Sequence, residues 1–376
     1  MGSPFLLEHL DPTLAVWRQA AYVTGGLVVF LLGWILAVRM SRSIDLRRRR
    51  AVTKRWRPIF EGREPLSDHA LTFCLSLSCR DRVHMLHLWN DCYDEGRSIE
   101  AAARLIDIAQ RLPLPQCAKT FLSSRRLHRK LLAVRTLGRL KERSVWNDLE
   151  TLVAHQNPFV ALHAVQALLS IDAAAAMPFL ISTIGRRTDW SPLAVATILC
   201  TAGQDLASEA LAKAATTGDL AVGSRLLRHL PVTQSPRGLP IVRQFLQTQP
   251  QISDDFLAAC LFIFGEFQEP ADLPIIRRHL FHPVWYVRVQ AAAALGKLGT
   301  QSDEARLTAL LSDPEWWVRY RAAEALVNLR SMTEEKLETL QETLPLPEAQ
   351  EMLATALAKF RQRRLSRPLV EMAGSS

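Results

Sequence analysis

The chain has 376 residues, 48% of them hydrophobic and 22% charged, which is enough apolar material to bury a core and excludes a disordered chain. A formal net charge of +9 would fit a nucleic-acid partner if it were spread over a face. Instead it is concentrated between positions 39 and 57, where nine basic residues, among them Arg47, Arg48, Arg49 and Arg50, stand against the single acid Asp45.

In chain order, the first element is residues 19–38, QAAYVTGGLVVFLLGWILAV, a run of 20 residues without a charge. At about 1.5 Å per residue a helix of that length matches the roughly 30 Å hydrocarbon core of a bilayer. A cleavable leader would place basic residues before a shorter apolar run, whereas here Glu8 and Asp11 precede the run and arginines follow it. We read 1–16 as a short extracytoplasmic N-terminus, 17–38 as a transmembrane helix and 39–57 as a basic juxtamembrane collar. Trp17, Tyr22 and Trp34 suit interfacial anchoring, and Gly25 and Gly26 either admit a second helix or are ordinary membrane-helix composition. Gly2 is followed by Leu6 where a myristoylation signal needs Ser or Thr. The charge asymmetry predicts a single-pass protein with the N-terminus outside and everything after Arg39 in the cytoplasm, with Arg47 to Arg50 against anionic lipid headgroups.

Residues 58–98 have helical periodicity but no repeat and are expected to cap the repeats that lie beyond them. Cys79, His84, His87 and Cys92 fall close together there, yet they form no CxxC or His-x3-His pair, so packing is expected and no metal. The six cysteines of the chain form no dense framework and suit reduced thiols in a cytosolic compartment. Next comes a basic helix over 125–143, in which Arg125 with Arg129 and Arg135 with Arg139 share faces at i, i+4 spacing. It is either an anion-binding surface or a face neutralised by neighbouring acids such as Asp148 and Glu150.

From there a repeat dominates. HPVWYVRVQAAAALGKLG at 282–299 and DPEWWVRYRAAEALVNL at 313–329 align at an offset of 31, and weaker copies start at Asn157, Asp189, Asp219 and Asp254. Each unit is a helix, a turn and a second helix, and such units bury their faces only by stacking. Trp285 and Trp316 open equivalent second helices, and Trp190 follows Arg186, Arg187 and Asp189 in an earlier copy. All three are candidate contacts for a protein partner, since exposed aromatics beside arginines recur at interfaces; inter-repeat packing is the alternative.

These residues resemble the HEAT-repeat family, including its PBS-lyase HEAT-like form. The resemblance runs from about Ile99 to Phe360 and is sharpest in the last two units. It implies an α-solenoid over 99–360, so that the chain as a whole is expected to be all-α, with one N-terminal transmembrane helix before the solenoid and a basic tail at 361–376 after it. It also implies a polar ladder between repeats that uses Asp313, Arg288 and Arg319, with His282 in place of one Asp. Taken whole, the chain looks like bacterial inner-membrane HEAT proteins associated with envelope polysaccharide glycosyltransferase systems. No Gly-rich phosphate loop, GxSxG, HExxH or paired carboxylates are present, so no catalysis, cofactor or small-molecule substrate is expected. The expected function is a membrane-anchored scaffold whose solenoid docks a protein partner, with a glycosyltransferase implied by the resemblance. The alternative is nucleic-acid binding through the helix at 125–143.

Overall fold

The computed structural model describes residues 12–373 apart from 97, 188 and 250, with side chains described from 21 to 362. Every regular element among the described residues is an α-helix or a short 3-10 turn. The chain divides into two compact units, Met1–Leu140 and Lys141–Ser376. The segment 1–11, the side chain of Trp17 and the side chains of the basic tail beyond 362 lie outside what the structure describes.

The first unit is organised on the helix Pro12–Phe60, whose 49 residues change environment along its length. Residues 21–51 are exposed throughout. Beyond them Val52, Trp56, Ile59 and Phe60 are buried, at the i, i+4, i+7, i+8 spacing of one helical face. That face packs on the helix Cys79–Glu95, in which Met85, Leu86 and Trp89 have no exposed surface. The membrane-type helix is thus continuous with a core helix, and the collar arginines lie along this one rod. The rod ends near Gly62, whose φ of +77° is a conformation that a side chain disfavours. Ser67, Ser78 and Ser98 each accept a hydrogen bond from the third backbone N–H of the following helix, a cap worth about 1 kcal/mol.

The second unit is a succession of helix pairs. The last three full second helices, Asp254–Phe267, Trp285–Leu298 and Trp316–Asn328, pack side by side, and Pro347–Ala373 follows the last of them. Measured from helix start to helix start the step is an even 31 residues. The sequence alignment placed the Asp254 copy at a step of 28 because that copy lacks the Pro-aromatic turn, so its Asp opens the helix instead of preceding it.

Glycine sets how closely these helices approach. A Cβ on Gly265 would lie 2.8 Å from the Cα of Ala294, and one on Gly296 would lie 2.6 Å from the Cα of Ala325. Around those crossings Phe256, Phe264, Val287, Leu295, Val318 and Leu326 are completely buried. Burying a side chain of this size contributes about 1.5–3 kcal/mol. The structure is the predicted α-solenoid of stacked helix pairs, preceded in the chain by one helix long and apolar enough to cross a membrane.

Candidate interaction site

The polar ladder is built by arginines at two depths. Arg288 donates from Nε and Nη2 to both carboxylate oxygens of Asp313 at 2.8 Å, and from Nη1 to the carbonyls of His282 and Pro283 at 2.8 and 2.9 Å. One unit on, Arg319 repeats the carbonyl clamp on Asp313 and Pro314 at 2.8 and 2.9 Å and pairs with Glu348 at 3.2 Å. His282, where the family has Asp, approaches Asp254 at 3.7 Å.

Two further rungs escaped sequence reading. Arg243 holds buried Asp272 at 2.6 and 3.0 Å, and Arg277 holds buried Asp303 at 2.7 and 2.8 Å. Their signal was present as LPIVR at 239–243 and LPIIR at 273–277. It was hidden by a spacing different from that of the second helices.

Held by Arg288 and Arg319, the starts of the last two full second helices present aromatic rings to solvent. Trp285 is 41% exposed, Trp316 47% and Trp317 52%. Trp316 lies parallel to Tyr320 at 5.3 Å between ring centres, and Trp317 stands edge-on to Trp316 at 4.7 Å. Lys359 from the next helix lies 4.9 Å over the Tyr320 ring. Beside these rings a cleft of about 370 Å³ is lined by Trp316, Arg319, Tyr320, Glu348, Met352 and Lys359. Phe159 and Leu193, at the second position of earlier second helices, are likewise exposed, although sequence reading did not single them out. An apolar residue at that place, where packing asks for none, was the available signal.

Trp190 behaves differently from Trp285 and Trp316. It is buried beneath Arg187, whose guanidinium lies 5.8 Å from its ring and also holds Asp189 at 2.7 Å and the His155 carbonyl at 2.9 Å.

The basic stretch expected as one helix over 125–143 is the helix Leu127–Arg139. Lys141 takes a left-handed φ of 52° and ends it, and Arg143 opens a separate 3-10 turn and pairs with Asp172 at 3.3 Å. The four arginines separate by environment. Arg135 and Arg139 both bind Asp94, so the neutralising acid is Asp94 and neither Asp148 nor Glu150. Arg139 also donates to the side chain and carbonyl of buried Asn90 at 2.9 and 3.0 Å, and Asn90 donates to Thr136 at 2.8 Å. Arg125 is exposed, and neither it nor Arg129 reaches a carboxylate among the described residues. Arg47, Arg49 and Arg50 are exposed on the rod, and Arg48 approaches Asp81 at 3.9 Å.

Of the four clustered metal-type residues, His84 contacts Asp45 at 3.1 Å, and burial pushes the Cys92 thiol up to about 11. Cys79 is exposed and takes a 3.8 Å contact from Arg129. No three His, Cys, Asp or Glu side chains gather to hold a metal among the described residues.

Comparison with known proteins places a family model described as HEAT repeats on residues 253–327 and 273–358. No curated protein matches the chain. Among solved structures, importin beta is similar at 13% identity with a TM-score of 0.43, covering 81% of this chain and 47% of its own, so the chain spans about half of its length. The complex of CpcE and CpcF of phycocyanin lyase from Nostoc is similar at 18% identity, TM-score 0.26, over 64% and 94% of the two chains. Human deoxyhypusine hydroxylase is similar at 17% identity, TM-score 0.28, over 75% and 97%.

Proposed function

We propose that this chain, whose residues 253–358 are HEAT repeats, is a non-catalytic scaffold held at a membrane by the helix Pro12–Phe60, and that its repeats dock a protein partner. The observation that carries the reading is the outward aromatic edge of Trp285, Trp316 and Trp317 at the starts of second helices held by the Arg288–Asp313 pair and the Arg319 clamp on the Asp313 and Pro314 carbonyls. Rigid, partly desolvated indoles on a pre-organised frame bind a partner with little ordering cost, which is how interface anchors work. The anchor then acts by position, raising the partner's local concentration at the bilayer.

The direction of the helix, with its N-terminus outside and its arginines in the cytoplasm, rests on the charge asymmetry across the span. The exposed collar arginines meet anionic headgroups at roughly 1 kcal/mol each. An envelope polysaccharide glycosyltransferase, the partner class implied by the resemblance, is one prey to test, and no comparison names it. Nucleic-acid binding is the less favoured reading, because Arg135 and Arg139, two of the four candidate arginines of the basic stretch, are already occupied by Asp94.

The test is quantitative capture of partners from solubilised membranes by the full-length protein and by a Trp285→Ala/Trp316→Ala variant. Truncating two interface anchors is expected to weaken capture by at least about tenfold, with the thermal midpoint nearly unchanged because both rings are substantially exposed. A variant that retains every partner removes the aromatic edge from the account.

A further inference from the structure

In the first unit a cavity of about 800 Å³ opens between three walls. The first wall is the rod just past its apolar span, with Arg42, Asp45 and Arg49. The second is the start of Cys79–Glu95, with Arg80, His84 and His87. The third is the start of Leu127–Arg139, with Arg126, His128 and Arg129. Five guanidinium groups therefore line a space that holds one carboxylate, and that carboxylate, Asp45, is already engaged by His84 at 3.1 Å.

Among the described residues Arg42, Arg49, Arg80 and Arg126 pair with no acid. Arg129 Nε is buried without a hydrogen-bond partner, and its Nη1 reaches only the Cys79 sulfur at 3.8 Å. The helix Leu127–Arg139 also begins at this cavity without a side-chain cap and without an acid in its first turn, so its positive end adds to the same field.

The height of the cavity identifies the source of the anion. Arg42 stands four residues past Val38, the last residue of the charge-free run, which is about 6 Å along a helix, and Arg49 stands about 16 Å past it. The polar layer of one leaflet is about 5–8 Å thick, so the lip of the cavity lies among headgroups and its floor lies in the water beneath. Arginines on three walls suit a terminal phosphate that offers three free oxygens to bidentate donors, more than a bridging phosphodiester can offer. The volume lies within the range of a small-molecule site.

We propose that this cavity binds the phosphomonoester headgroup of an anionic lipid drawn from the leaflet that carries the helix. The proposal rests on the membrane-anchored reading above, and it assigns a defined ligand site apart from the general attraction of the collar.

The test titrates full-length protein in detergent with dihexanoyl phosphatidic acid, dihexanoyl phosphatidylglycerol and inorganic phosphate. It compares wild type with Arg126→Glu/Arg129→Glu and with Arg47→Glu/Arg50→Glu, a collar pair outside the cavity. Phosphatidic acid is expected to bind about tenfold or more above phosphatidylglycerol, and to lose that margin only in the cavity variant. If that variant does not fold, Arg129→Gln alone is read and is expected to weaken binding severalfold. Equal losses in the two double variants, or none in the cavity variant, overturn the proposal. Inorganic phosphate binding as tightly as the lipid reassigns the site to a free phosphate ligand and overturns the lipid source. Flotation of the same protein with vesicles tests the anchor separately: a chain that takes the lipid but does not float refutes the anchor alone, and one that floats but ignores the lipid refutes the cavity.

Discussion

Asp303 has no exposed side-chain surface, yet it accepts hydrogen bonds from Arg277 at 2.7 and 2.8 Å and from the Thr300 backbone N–H at 2.9 Å. Burial pushes its carboxyl up, but the hydrogen bonds from Arg277 and Thr300 outweigh burial and hold it below the ordinary carboxylate range. A group with a depressed folded pKa contributes its full stability above its unfolded value, about 3.9, and loses it as pH falls through the folded value. Urea midpoints of the wild type should therefore decline on acidification below about pH 5. Asp303→Asn should be less stable at pH 7 by about 3 kcal/mol, because Arg277 loses its partner, and should show a shallower acid decline. Equal midpoints at pH 7 would show that this rung contributes nothing. The basic helix offers a second contrast at this scale. Arg139→Ala removes the Asp94 and Asn90 contacts and should cost about 1.5–3 kcal/mol. Arg125→Ala, at an exposed position without a carboxylate partner, should stay within about 0.5 kcal/mol. Thermal unfolding of the two variants decides the contrast.

Among elements, the second helices depend on missing side chains. Gly296→Ala gains roughly 0.8–1 kcal/mol of helix propensity. The added methyl, however, would sit 2.6 Å from the backbone of Ala325, which cannot move aside as a flexible side chain would. Overpacking of that kind costs about 1–3 kcal/mol, so chemical denaturation should find the variant destabilised, and a stabilised Gly296→Ala would mean that the helices separate easily. Legibility in the sequence follows the same physical line. The long apolar helix was readable because a charge-free run needs no tertiary information, and the last two units because nine of their 17 aligned positions are identical at an offset of 31. The Arg288–Asp313 rung came with the family resemblance. Asp94 could not be found as the partner of Arg135 and Arg139, because it lies 41 and 45 residues away on another helix and no local spacing reports such a pair. The outward rings of Trp285 and Trp316 and the buried ring of Trp190 looked alike in sequence, since only packing decides which way an indole turns.

For the whole molecule, the continuity of the rod is the consequential feature. The helix that carries the exposed apolar run ends as Val52, Trp56, Ile59 and Phe60 in the core of the first unit, so a soluble fragment must begin before Val52 to keep that core. The apolar run and the core of the first unit share one continuous helix, so on the anchored reading the side of the bilayer on which the folded part lies reports the direction of that helix. Two cysteines, Cys79 and Cys200, are exposed and free. With Cys79 replaced by Ser, a membrane-impermeant maleimide applied to sealed cells reads Cys200 alone, and fractionation shows where the protein resides. A scaffold anchored with its repeats in the cytoplasm predicts that Cys200 is found in the membrane fraction and is labelled only after the cells are opened; labelling in sealed cells, or recovery in the soluble fraction, would contradict it.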